Sequence, residues 1–403
     1  MPEQAQAFDI LIIGAGISGL ALARSLRDLD LQVALVDSTS PTPVMEAVKA
    51  ADKAPKFAAR VSALTVASVR LFQELEVWDQ ALEASVCPFR HMRVWDAEGT
   101  GQIHFSAADI HEPQLGVIAE NQRILLALEQ SVQGQANLSI VRPQQVASID
   151  RSAGNQQQYR VQLESGRQLI GRLLVGADGA RSLVRQAAGF KTREWEYGHQ
   201  AIVTTVSTEQ PHEFTAWQRF MPTGPLAFLP LLVPGAAAGG QHYSSIVWSC
   251  TPALADELMA LDDEAFAAKL GVSFEKRLGD IRHVERRSAF PLRQMHATDY
   301  MDQGVVLAGD AAHTIHPLAG QGVNLGLQDI AALAVVLAQA VQSDEDIGSI
   351  QVLSRYQRRR KGANLAMMAL MEGFKRLFES DDLLLRWLRN TGIDSVEHMP
   401  LIK

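Results

Sequence analysis

The sequence contains few of the residues that build disulfide frameworks, zinc sites and nucleic-acid interfaces. Only two cysteines, Cys87 and Cys250, occur among its 403 residues, and neither lies in a cluster of Cys or His. Neither a disulfide framework nor a zinc site is therefore expected. The formal net charge of -8 disfavours nucleic acid as the main partner, because duplex binding needs a basic surface that displaces counterions.

Long apolar runs are also scarce. Residues 10–23 form one such run, but three glycines interrupt it and no Lys or Arg precedes it, which argues against a signal peptide. No other segment approaches the roughly 20 apolar residues that a membrane-spanning helix needs. With 47% hydrophobic and 20% charged residues, we expect a globular cytoplasmic protein of more than one domain, not an integral membrane protein.

The stretch "FDILIIGAGISGLALARSLRDLDLQVALVD", residues 8–37, has the pattern of a βαβ unit. Residues 8–13 are a short apolar run that ends in glycine, which is typical of a parallel strand covered on both faces. Residues 17–29 then carry apolar side chains at helical spacing, and residues 32–36 return as a second strand.

Glycines occupy the turn of this unit in the order G-x-G-x-x-G, and an acid closes it. Gly14 permits a tight turn, Gly16 lets a pyrophosphate approach the backbone, and Gly19 lets the helix pack closely on the strand. Asp37 ends the second strand, where a carboxylate can accept hydrogen bonds from a ribose. The pattern predicts an ADP-containing dinucleotide, NAD or FAD. An ordinary glycine-rich turn would leave Asp37 unexplained.

Two further glycine–acid junctions follow apolar strands. "LLVGADGARS", residues 173–182, and "VVLAGDAAH", residues 305–313, place Asp178 and Asp310 just beyond such strands. Doubly wound sheets hold ligands outside the carboxyl ends of their strands, so both acids are expected beside the first glycine turn. Elsewhere, helices are expected at 60–78, 121–133, 253–279 and 325–340, and an antiparallel sheet within 201–249.

These three motifs together resemble the fingerprints of the single-component flavoprotein aromatic hydroxylases. The chain is most similar to their ubiquinone-biosynthesis branch, and the likeness continues through "VWD" at 94–96, "AFLPL" at 227–231, "IVWS" at 246–249 and "FPL" at 290–292. The resemblance implies an α/β fold like that of p-hydroxybenzoate hydroxylase, with a Rossmann-like FAD-binding domain, an inserted antiparallel-sheet substrate domain and a helical C-terminus. The expected boundaries are 1–72, 100–185 and 289–345 for the FAD-binding domain, 73–99 and 186–288 for the substrate domain, and 346–403 for the C-terminal helices.

The resemblance also implies which residues bind non-covalent FAD. The ADP part falls to the first three glycines and Asp37, the ribitol hydroxyls to Asp310, and the flavin edge and pyrophosphate to residues 317–324. Arg60 resembles the arginine beside the flavin, and Asn121 stands where many relatives carry Arg or Gln. Asp178 and Gly179 resemble a motif linked to FAD and to the nicotinamide donor. The complete expected set is Gly14, Gly16, Gly19, Asp37, Arg60, Asn121, Asp178, Gly179, Asp310, Pro317, Gly320, Gly322, Val323 and Asn324.

The dense stretch "GDAAHTIHPLAGQGVNLG" allows other interpretations of Asp310, His313 and His316. A metal site would need a nearby third imidazole or thiol, and a catalytic dyad would need a nucleophile, and the sequence offers neither. We expect the glycines to bring backbone against the cofactor and the histidines to act as hydrogen-bonding scaffold, with His316 a candidate contact to cofactor or substrate. The following helix should begin over the flavin, where its N-terminus would stabilise the anionic reduced ring.

The chemistry implied by the resemblance is FAD-dependent hydroxylation. NADH or NADPH reduces FAD, O2 adds to give a flavin C4a-hydroperoxide, and one oxygen is transferred to the ring of a polyprenylated phenol or benzoquinol. The protein orients the ring, excludes water and eases loss of the phenolic proton. No catalytic acid or base is named, because the sequence singles out no residue for that role, and no metal is predicted. Four aromatic residues of the expected sheet are either pocket wall or plain core: Trp217, Phe220, Phe228 and Trp248.

The C-terminal part suggests a lipidic substrate but has two interpretations. A basic run, made by Arg355, Arg358, Arg359, Arg360 and Lys361, precedes apolar residues at helical spacing, namely Met367, Leu370, Met371, Phe374, Leu377 and Phe378. Such a segment can lie in an anionic membrane interface. It can equally pack its apolar stripe on the catalytic body and leave the charges in solvent. A position peripheral to the inner face of the membrane, with other ubiquinone-biosynthesis proteins as partners, would follow from the first.

Two other functions compete with the favoured one. A hydroxylase of a soluble small aromatic compound would turn over without any prenyl tail on its substrate. A non-enzymatic prenyl carrier, similar to the GDP-dissociation inhibitors, would be colourless when purified, and the complete set of flavin motifs argues against it.

Overall fold

The computed structural model describes residues 5–43, 56–98, 101–152, 158–233, 241–314 and 321–379, which form two large sheets and one small sheet. The strands are β1 Gln6–Ile13, β2 Val33–Val36, β3 Val61–Thr65, β4 Cys87–Phe89, β5 His91–Asp96, β6 Gln102–Ser106, β7 Gly116–Glu120, β8 Leu138–Val141, β9 Val146–Arg151, β10 Tyr159–Leu163, β11 Gln168–Gly176, β12 Thr192–Thr208, β13 Thr215–Phe220, β14 Leu226–Leu231, β15 Tyr243–Cys250, β16 Ile281–Val284, β17 Ser288–Ala297, β18 Met301–Asp302, β19 Val305–Leu307 and β20 His313–Thr314. The helices are α1 Ile17–Ser25, α2 Val66–Glu74, α3 Gln80–Glu83, α4 Asn121–Ser131, α5 Leu183–Ala187, α6 Pro252–Ala260, α7 Asp263–Ser273, α8 Gln321–Gln342 and α9 Ile350–Glu379.

The first large sheet is the predicted doubly wound core. Its strands run in the order β18, β19, β11, β1, β2, β8, and the neighbours from β19 to β8 are parallel. The middle of β1 is fully buried, because α1 packs on it and the sheet carries apolar side chains on both faces. Helices α4 and α8 pack on α1 in turn. The βαβ unit predicted at residues 8–37 is confirmed as β1, α1 and β2.

The second large sheet is mostly antiparallel and runs β20, β17, β12, β15, β14, β13, β5, β6, with β13 parallel to β5. Because side chains alternate along each strand, its two faces differ. One face packs on α6 and α7, where Phe228 stacks on Phe274 with ring centroids 3.7 Å apart. The other face meets the small sheet of β3, β7 and β4 through Ala216, Leu229 and Leu231.

This alternation decides between the two interpretations of the aromatic residues. Trp217, Phe228 and Trp248 all lie on the face that packs on α6 and α7, so they form core. Phe220 shares the opposite face with Ala216. The apolar wall toward the small sheet is instead made by smaller side chains from β13 and β14.

One predicted helix is wrong in its first part. Residues 60–78 were expected to be one helix, but residues 61–65 form β3, which pairs antiparallel with β7. Helix α2 begins only at Val66, where the Thr65 side chain accepts a hydrogen bond from the Ser68 N–H. The apolar residues at 61–65 satisfy a strand as well as a helix, and pairing with β7 decides the outcome.

The predicted fold class is confirmed: a Rossmann-like α/β part, an antiparallel-sheet part and C-terminal helices. The domain boundaries remain a prediction, and two strands assigned mainly to the FAD-binding domain belong to the second large sheet. Strand β6 pairs with β5 and strand β17 pairs with β12, both within the second large sheet. The expected boundaries had assigned residues 100–106 and 289–297 to the FAD-binding domain.

Two long helices complete the described chain. Residues 322–342 of α8 are long and apolar enough to cross a membrane, but 56% of the apolar window is buried in the protein. Helix α9 packs on α8 along a buried stripe made by Leu353, Tyr356, Arg360, Asn364 and Met368.

The expected basic run is therefore largely engaged within the protein. Arg360 is buried against Asp329, whereas Arg355 pairs with Glu345 and Lys361 with Asp299 on the surface. Met367 packs beside Leu325 and Met368, while Leu370 is exposed. The side chains of Phe374, Leu377 and Phe378 lie outside the described residues.

Buried His212 gives the second sheet a pH-dependent stability. Its ring is 1% exposed, Nδ1 accepts a hydrogen bond from the Phe214 N–H, and Nε2 faces the Leu231 carbonyl at 3.0 Å. Burial lowers the pKa of His212 to about 4, below the value of about 6.5 expected in the unfolded chain. Between pH 6.5 and 4, His212 is therefore largely protonated in the unfolded state and largely neutral in the folded state. The resulting stability is complete above pH 6.5 and is lost as the pH falls toward 4.

We expect the free energy of unfolding to fall by about 1.4 kcal/mol per pH unit between pH 6 and 4.5 for this one proton. Urea unfolding of wild type and His212→Asn at pH 7, 6 and 5 measures it. At pH 7, His212→Asn should have a smaller free energy of unfolding than wild type, and this free energy should fall less on acidification. The free energy of unfolding of the His283→Asn control, at an exposed position, should fall with pH as it does in wild type. Equal pH slopes for wild type and His212→Asn would contradict the assignment.

Candidate functional site

Four loops leave the parallel sheet at one edge. Ile13 at the end of β1 is level with Gly176 of β11 and Val36 of β2, and Gly176 is level with Leu307 of β19. The chain continues from these ends into the first glycine turn, the acid after β2 and the two later glycine–acid motifs. The sheet therefore brings the three predicted motifs to the same crevice.

The first glycine turn is tightly packed at Gly14 and Gly19 and open at Gly16. Gly14 has φ +107°, and a Cβ there would lie 2.4 Å from the Ala177 carbonyl oxygen. A Cβ on Gly19 would lie 1.8 Å from the Gly14 oxygen. At Gly16, which caps the N-terminus of α1, a Cβ would meet no atom within 4 Å among the described residues. Gly16 thus faces open space where the positive end of a nine-residue helix emerges.

Asp37 closes the turn from the second strand. Its Oδ2 accepts a hydrogen bond from the Ala15 N–H at 2.6 Å, and its Oδ1 accepts from the Thr39 N–H and hydroxyl at 2.7 and 2.6 Å. The carboxylate thus links the end of β2 to the glycine turn.

The other two motifs contact the first turn and each other. A Cβ on Gly309 or on Gly326 would lie 2.8 or 2.9 Å from the Ser18 hydroxyl, so α1, α8 and the third motif meet at Ser18. Arg185 joins the second motif to the third: it donates to the Ala180 carbonyl at 2.7 Å and to the Ala311 carbonyl at 2.9 Å. Arg185 was missed from the sequence, where it is one arginine among several in residues 172–193.

Asp178 has one oxygen that the described part of the chain leaves without a donor. Its Oδ2 accepts from the Leu183 and Val184 N–H groups at the start of α5, at 2.6 and 3.2 Å. Its Oδ1 is buried and has no hydrogen-bond partner among the described residues. A buried carboxylate oxygen without a partner fits a ligand that donates to it. The neighbouring Gly179 has φ +79° and open space around it.

Asp310 lies in a one-turn 3-10 segment, Gly309–Ala311, at the end of β19. Asp310 is exposed to solvent, whereas its neighbours Gly309 and Ala311 are buried. Desolvation by the surrounding protein atoms raises the pKa of Asp310, and the electrostatic effects of His313 and Arg60 only partly oppose it. A Cβ on Gly322 would lie 3.9 Å from its Oδ1, so the first turn of α8 stands beside the carboxylate.

Arg60 and Asn121 are brought together opposite this acid. The Asn121 N–H donates to the Arg60 carbonyl at 3.0 Å, and the Asn121 side chain accepts from the Ser62 hydroxyl at 2.7 Å. The guanidinium of Arg60 lies over the ring of Phe290, 5.2 Å from its centroid. Arg60 therefore stands where the crevice meets the second large sheet.

The described residues at the end of the third motif do not direct their side chains' hydrogen bonds toward a ligand. Asn324 is buried and points away from Asp310: its side chain binds the Thr65 N–H, the Ser68 hydroxyl and the Ala63 carbonyl. A ligand contact of Asn324 would have to use its backbone. Val323 packs partly on the main core. Pro317, Gly320 and His316 lie outside the described residues.

His313 is a buried residue that bonds to another protein side chain. It is 1% exposed, and its Nε2 lies 2.5 Å from the carboxylate of Asp329 on α8. Among the described residues, no group of three or more His, Cys, Asp or Glu side chains is placed to hold a metal ion. Sequence reasoning missed Asp329, although its being the only charged residue between positions 321 and 342 was a usable signal.

The crevice has the groups that a dinucleotide with a hydroxylated linker requires. It offers a helix N-terminus at an open glycine, the acid Asp37 beside the turn, and the acids Asp178 and Asp310 with free acceptor oxygens. Helix N-termini favour phosphate, and carboxylates favour hydroxyl donors. The residues present thus fit FAD.

Comparison with known proteins agrees with this chemistry. Residues 7–370 match a family described as "FAD binding domain". The chain is 36% identical to the 3-demethoxyubiquinol 3-hydroxylase of Escherichia coli (strain K12) over 99% of this chain and 97% of the relative. It is 32% identical to the mitochondrial ubiquinone biosynthesis monooxygenase COQ6 of Xenopus tropicalis over 98% and 91%.

Solved structures share the fold at lower identity. The p-nitrophenol 4-monooxygenase PnpA of Pseudomonas putida DLL-E4 matches with a TM-score of 0.75 and 18% identity, covering 98% of this chain and 96% of that one. The crystal structure of pqsL from Pseudomonas aeruginosa matches with a TM-score of 0.76 and 20% identity, covering 97% and 100%.

Proposed function

This chain belongs to the FAD binding domain family, and we propose from that premise that it is a monooxygenase of ubiquinone biosynthesis. Its substrate is a polyprenylated phenol or quinol, whose aromatic ring it hydroxylates with O2 and with NADH or NADPH as electron donor. The observation that carries the proposal is the meeting of three motifs, separated by more than a hundred residues each, at one crevice. The similarity to relatives named for ubiquinone biosynthesis over nearly the whole chain supports the substrate class.

Each predicted site residue has a role in this proposal. Gly14, Gly16 and Gly19 form the turn for the pyrophosphate, and Asp37 binds the ribose. Asp310 accepts hydrogen bonds from the ribitol hydroxyls, and Asp178 with Gly179 contacts FAD or the nicotinamide donor. Arg60, Asn121 and the start of α8, with Gly322, Val323 and the Asn324 backbone, are proposed to contact the flavin end of the cofactor. The resemblance assigns Pro317 and Gly320 to the same group.

Bound FAD supplies the electron transfer and the activation of O2. The chain's own residues bind the cofactor, orient the ring and keep water out. The first turn of α8 carries about half a positive charge and would stabilise negative charge on the reduced flavin. The smaller apolar side chains between the second large sheet and the small sheet, such as Leu229, Leu231 and Ile118, exclude water beside it.

The proposed reaction also suggests how the nicotinamide electron donor binds and where in the cell the enzyme works. The sequence has no second G-x-G-x-x-G, so the nicotinamide donor is expected to visit the FAD site without a domain of its own. A prenylated substrate resides in the membrane, so the enzyme would work from the cytoplasm at the inner membrane face, beside other enzymes of the pathway. The exposed Arg358, Arg359 and Leu370 of α9 are the described residues suited to such a surface.

Purified yellow protein with a panel of phenols tests the proposal. NADH and NADPH oxidation is followed for prenylated phenols and for the same head groups without a tail, and products are identified by mass spectrometry. We expect a product heavier by one oxygen from prenylated phenols only. Product from tail-free phenols alone would favour a hydroxylase of soluble aromatics, and peroxide as the only product for every phenol would contradict the hydroxylase assignment.

A further inference from the structure

Asp329 is a carboxylate with no exposed surface in the middle of the apolar helix α8. It accepts four hydrogen bonds: Oδ1 from Arg360 Nε at 2.8 Å and Asn364 Nδ2 at 3.1 Å, and Oδ2 from the Gly309 N–H at 3.1 Å and His313 Nε2 at 2.5 Å. Burial alone would raise the pKa of Asp329, but the charges and hydrogen bonds of His313 and Arg360 hold it below its ordinary value. Asp329 is therefore an ionised, fully partnered group inside the core.

The four donors come from two separate parts of the protein. Arg360 and Asn364 lie one turn apart on the C-terminal helix α9, and Arg360 also donates to Asn364 at 2.7 Å. Gly309 and His313 lie on either side of Asp310, at the two ends of the segment that carries it. Asp329 thus fastens both ends of the Asp310 segment to α8 and α9.

The backbone at the start of this segment has a conformation that favours glycine. Gly309 has φ +60°, and the Ser18 hydroxyl and Gly326 crowd the side where a Cβ would be. Its N–H, directed at Asp329, fixes the peptide that leads into Asp310. His313 then anchors the chain after Asp310 through a second bond to the same carboxylate oxygen.

A second branch makes the anchor rigid. Asn364 Nδ2 donates to the Tyr300 hydroxyl at 3.3 Å, and that hydroxyl contacts His296 Nε2 at 3.0 Å. The Tyr300 ring lies 5.8 Å from the His313 ring. Side chains of α8, α9, β17 and the Asp310 segment therefore share one buried polar network.

General stability is a weak reason for this cluster. A buried ion pair costs about as much in lost hydration as it gains, and apolar side chains of similar size often stabilise a core better. Such a network does fix one conformation among several, because each member is satisfied in that conformation only. The conformation fixed here is that of the segment holding Asp310.

We propose that Asp329, held by Arg360, is a positioning residue that presents the Asp310 carboxylate to the hydroxylated linker of FAD. It touches neither substrate nor cofactor and acts through the Gly309–His313 backbone. The inference rests on the proposed function, in which Asp310 binds FAD. It also gives α9 a role in the site, since Arg360 reaches the crevice segment through one carboxylate.

A double-mutant cycle tests whether Asp329 acts through Asp310. FAD is removed from wild type, Asp329→Asn, Asp310→Ala and the double variant, and the dissociation constant for FAD is measured by quenching of flavin fluorescence. We expect Asp329→Asn to weaken binding about tenfold on an otherwise intact site. On the Asp310→Ala background the same change should weaken it less than about twofold, because the group being positioned is gone. Equal losses on both backgrounds would overturn the proposal.

Arginines of α9 supply a second test that stands even if Asp329→Asn does not fold. Arg360→Met should weaken FAD binding about tenfold, and Arg360→Lys, which can still donate to Asp329, should recover part of it. Arg355→Met is the matched control. Arg355 lies on the same helix α9 as Arg360, but it bonds Glu345, a surface residue that precedes the helix. An equal loss in Arg355→Met would show that docking of α9 in general matters, which would overturn a specific role for Arg360.

Both tests read FAD affinity and not turnover, so two failures can be told apart. If Asp310→Ala binds FAD like wild type, the role given to Asp310 in the proposed function fails. If Asp310→Ala binds weakly while Asp329→Asn and Arg360→Met bind like wild type, only the positioning role fails.

Discussion

Asp310→Ala is expected to weaken FAD binding about 100-fold. Hydrogen bonds to a charged group contribute about 1.5–3 kcal/mol, and about 1.4 kcal/mol corresponds to a factor of ten. The upper end applies because Asp310 is proposed to accept from more than one ribitol hydroxyl. Among the described residues no group donates a hydrogen bond to it, so the alanine variant leaves no protein donor unpaired there. The loss should therefore appear in affinity and not in the stability of the apoprotein.

Fluorescence titration of the apoprotein with FAD, with thermal unfolding in parallel, measures both quantities. Asp310→Asn keeps one acceptor oxygen and should fall between wild type and alanine. Asp302→Ala is the control, because Asp302 pairs with Arg151 on the surface at the opposite end of β19. An unchanged dissociation constant in Asp310→Ala, or a loss matched by Asp302→Ala, would remove Asp310 from the site.

The sequence predicts that these motifs meet at one edge of the sheet because each motif can be recognised from a short continuous segment. Each motif couples an apolar strand, read from composition, to a glycine or acid directly after it, and parallel strands end at one edge. Placing Gly14, Asp37, Asp178 and Asp310 together therefore required no knowledge of side-chain packing. The register of Ile13, Gly176 and Leu307 at the ends of their strands agrees with that expectation.

Features that depend on distant partners could not be predicted in the same way. Residues 61–65 form a strand because β7 lies beside them, although their spacing also suits a helix. Arg360 reads as part of a solvated basic run until Asp329, 31 residues earlier, is seen to face it. Trp217 could be assigned to core only when α6 and α7 were placed on one face of the sheet. In each case the deciding neighbour is remote in sequence and contributes no local pattern.

Alanine substitution of two glycines in the first turn should affect the stability of the apoprotein differently. Gly19→Ala puts a Cβ 1.8 Å from the Gly14 carbonyl oxygen. The position of a Cβ is fixed by its own backbone and the oxygen is a backbone atom, so a side-chain rotation cannot relieve the clash. Overpacking of this kind costs about 3 kcal/mol or more, which corresponds to a fall in Tm of about 4 °C or more for an apoprotein of 403 residues. FAD retention should be lost with it, because the turn must open.

Gly16→Ala should instead leave the apoprotein as stable as wild type and weaken only FAD binding. The added methyl group meets no atom within 4 Å among the described residues, and Gly16 has an ordinary φ of -75°. It would stand where a pyrophosphate approaches the helix N-terminus. Thermal unfolding with and without saturating FAD separates the two variants: the stabilisation by FAD should shrink in Gly16→Ala although the apoprotein Tm is unchanged. If FAD stabilises Gly16→Ala as much as wild type, the pyrophosphate does not lie at this turn, since a ligand in contact with the backbone there leaves no room for a methyl group.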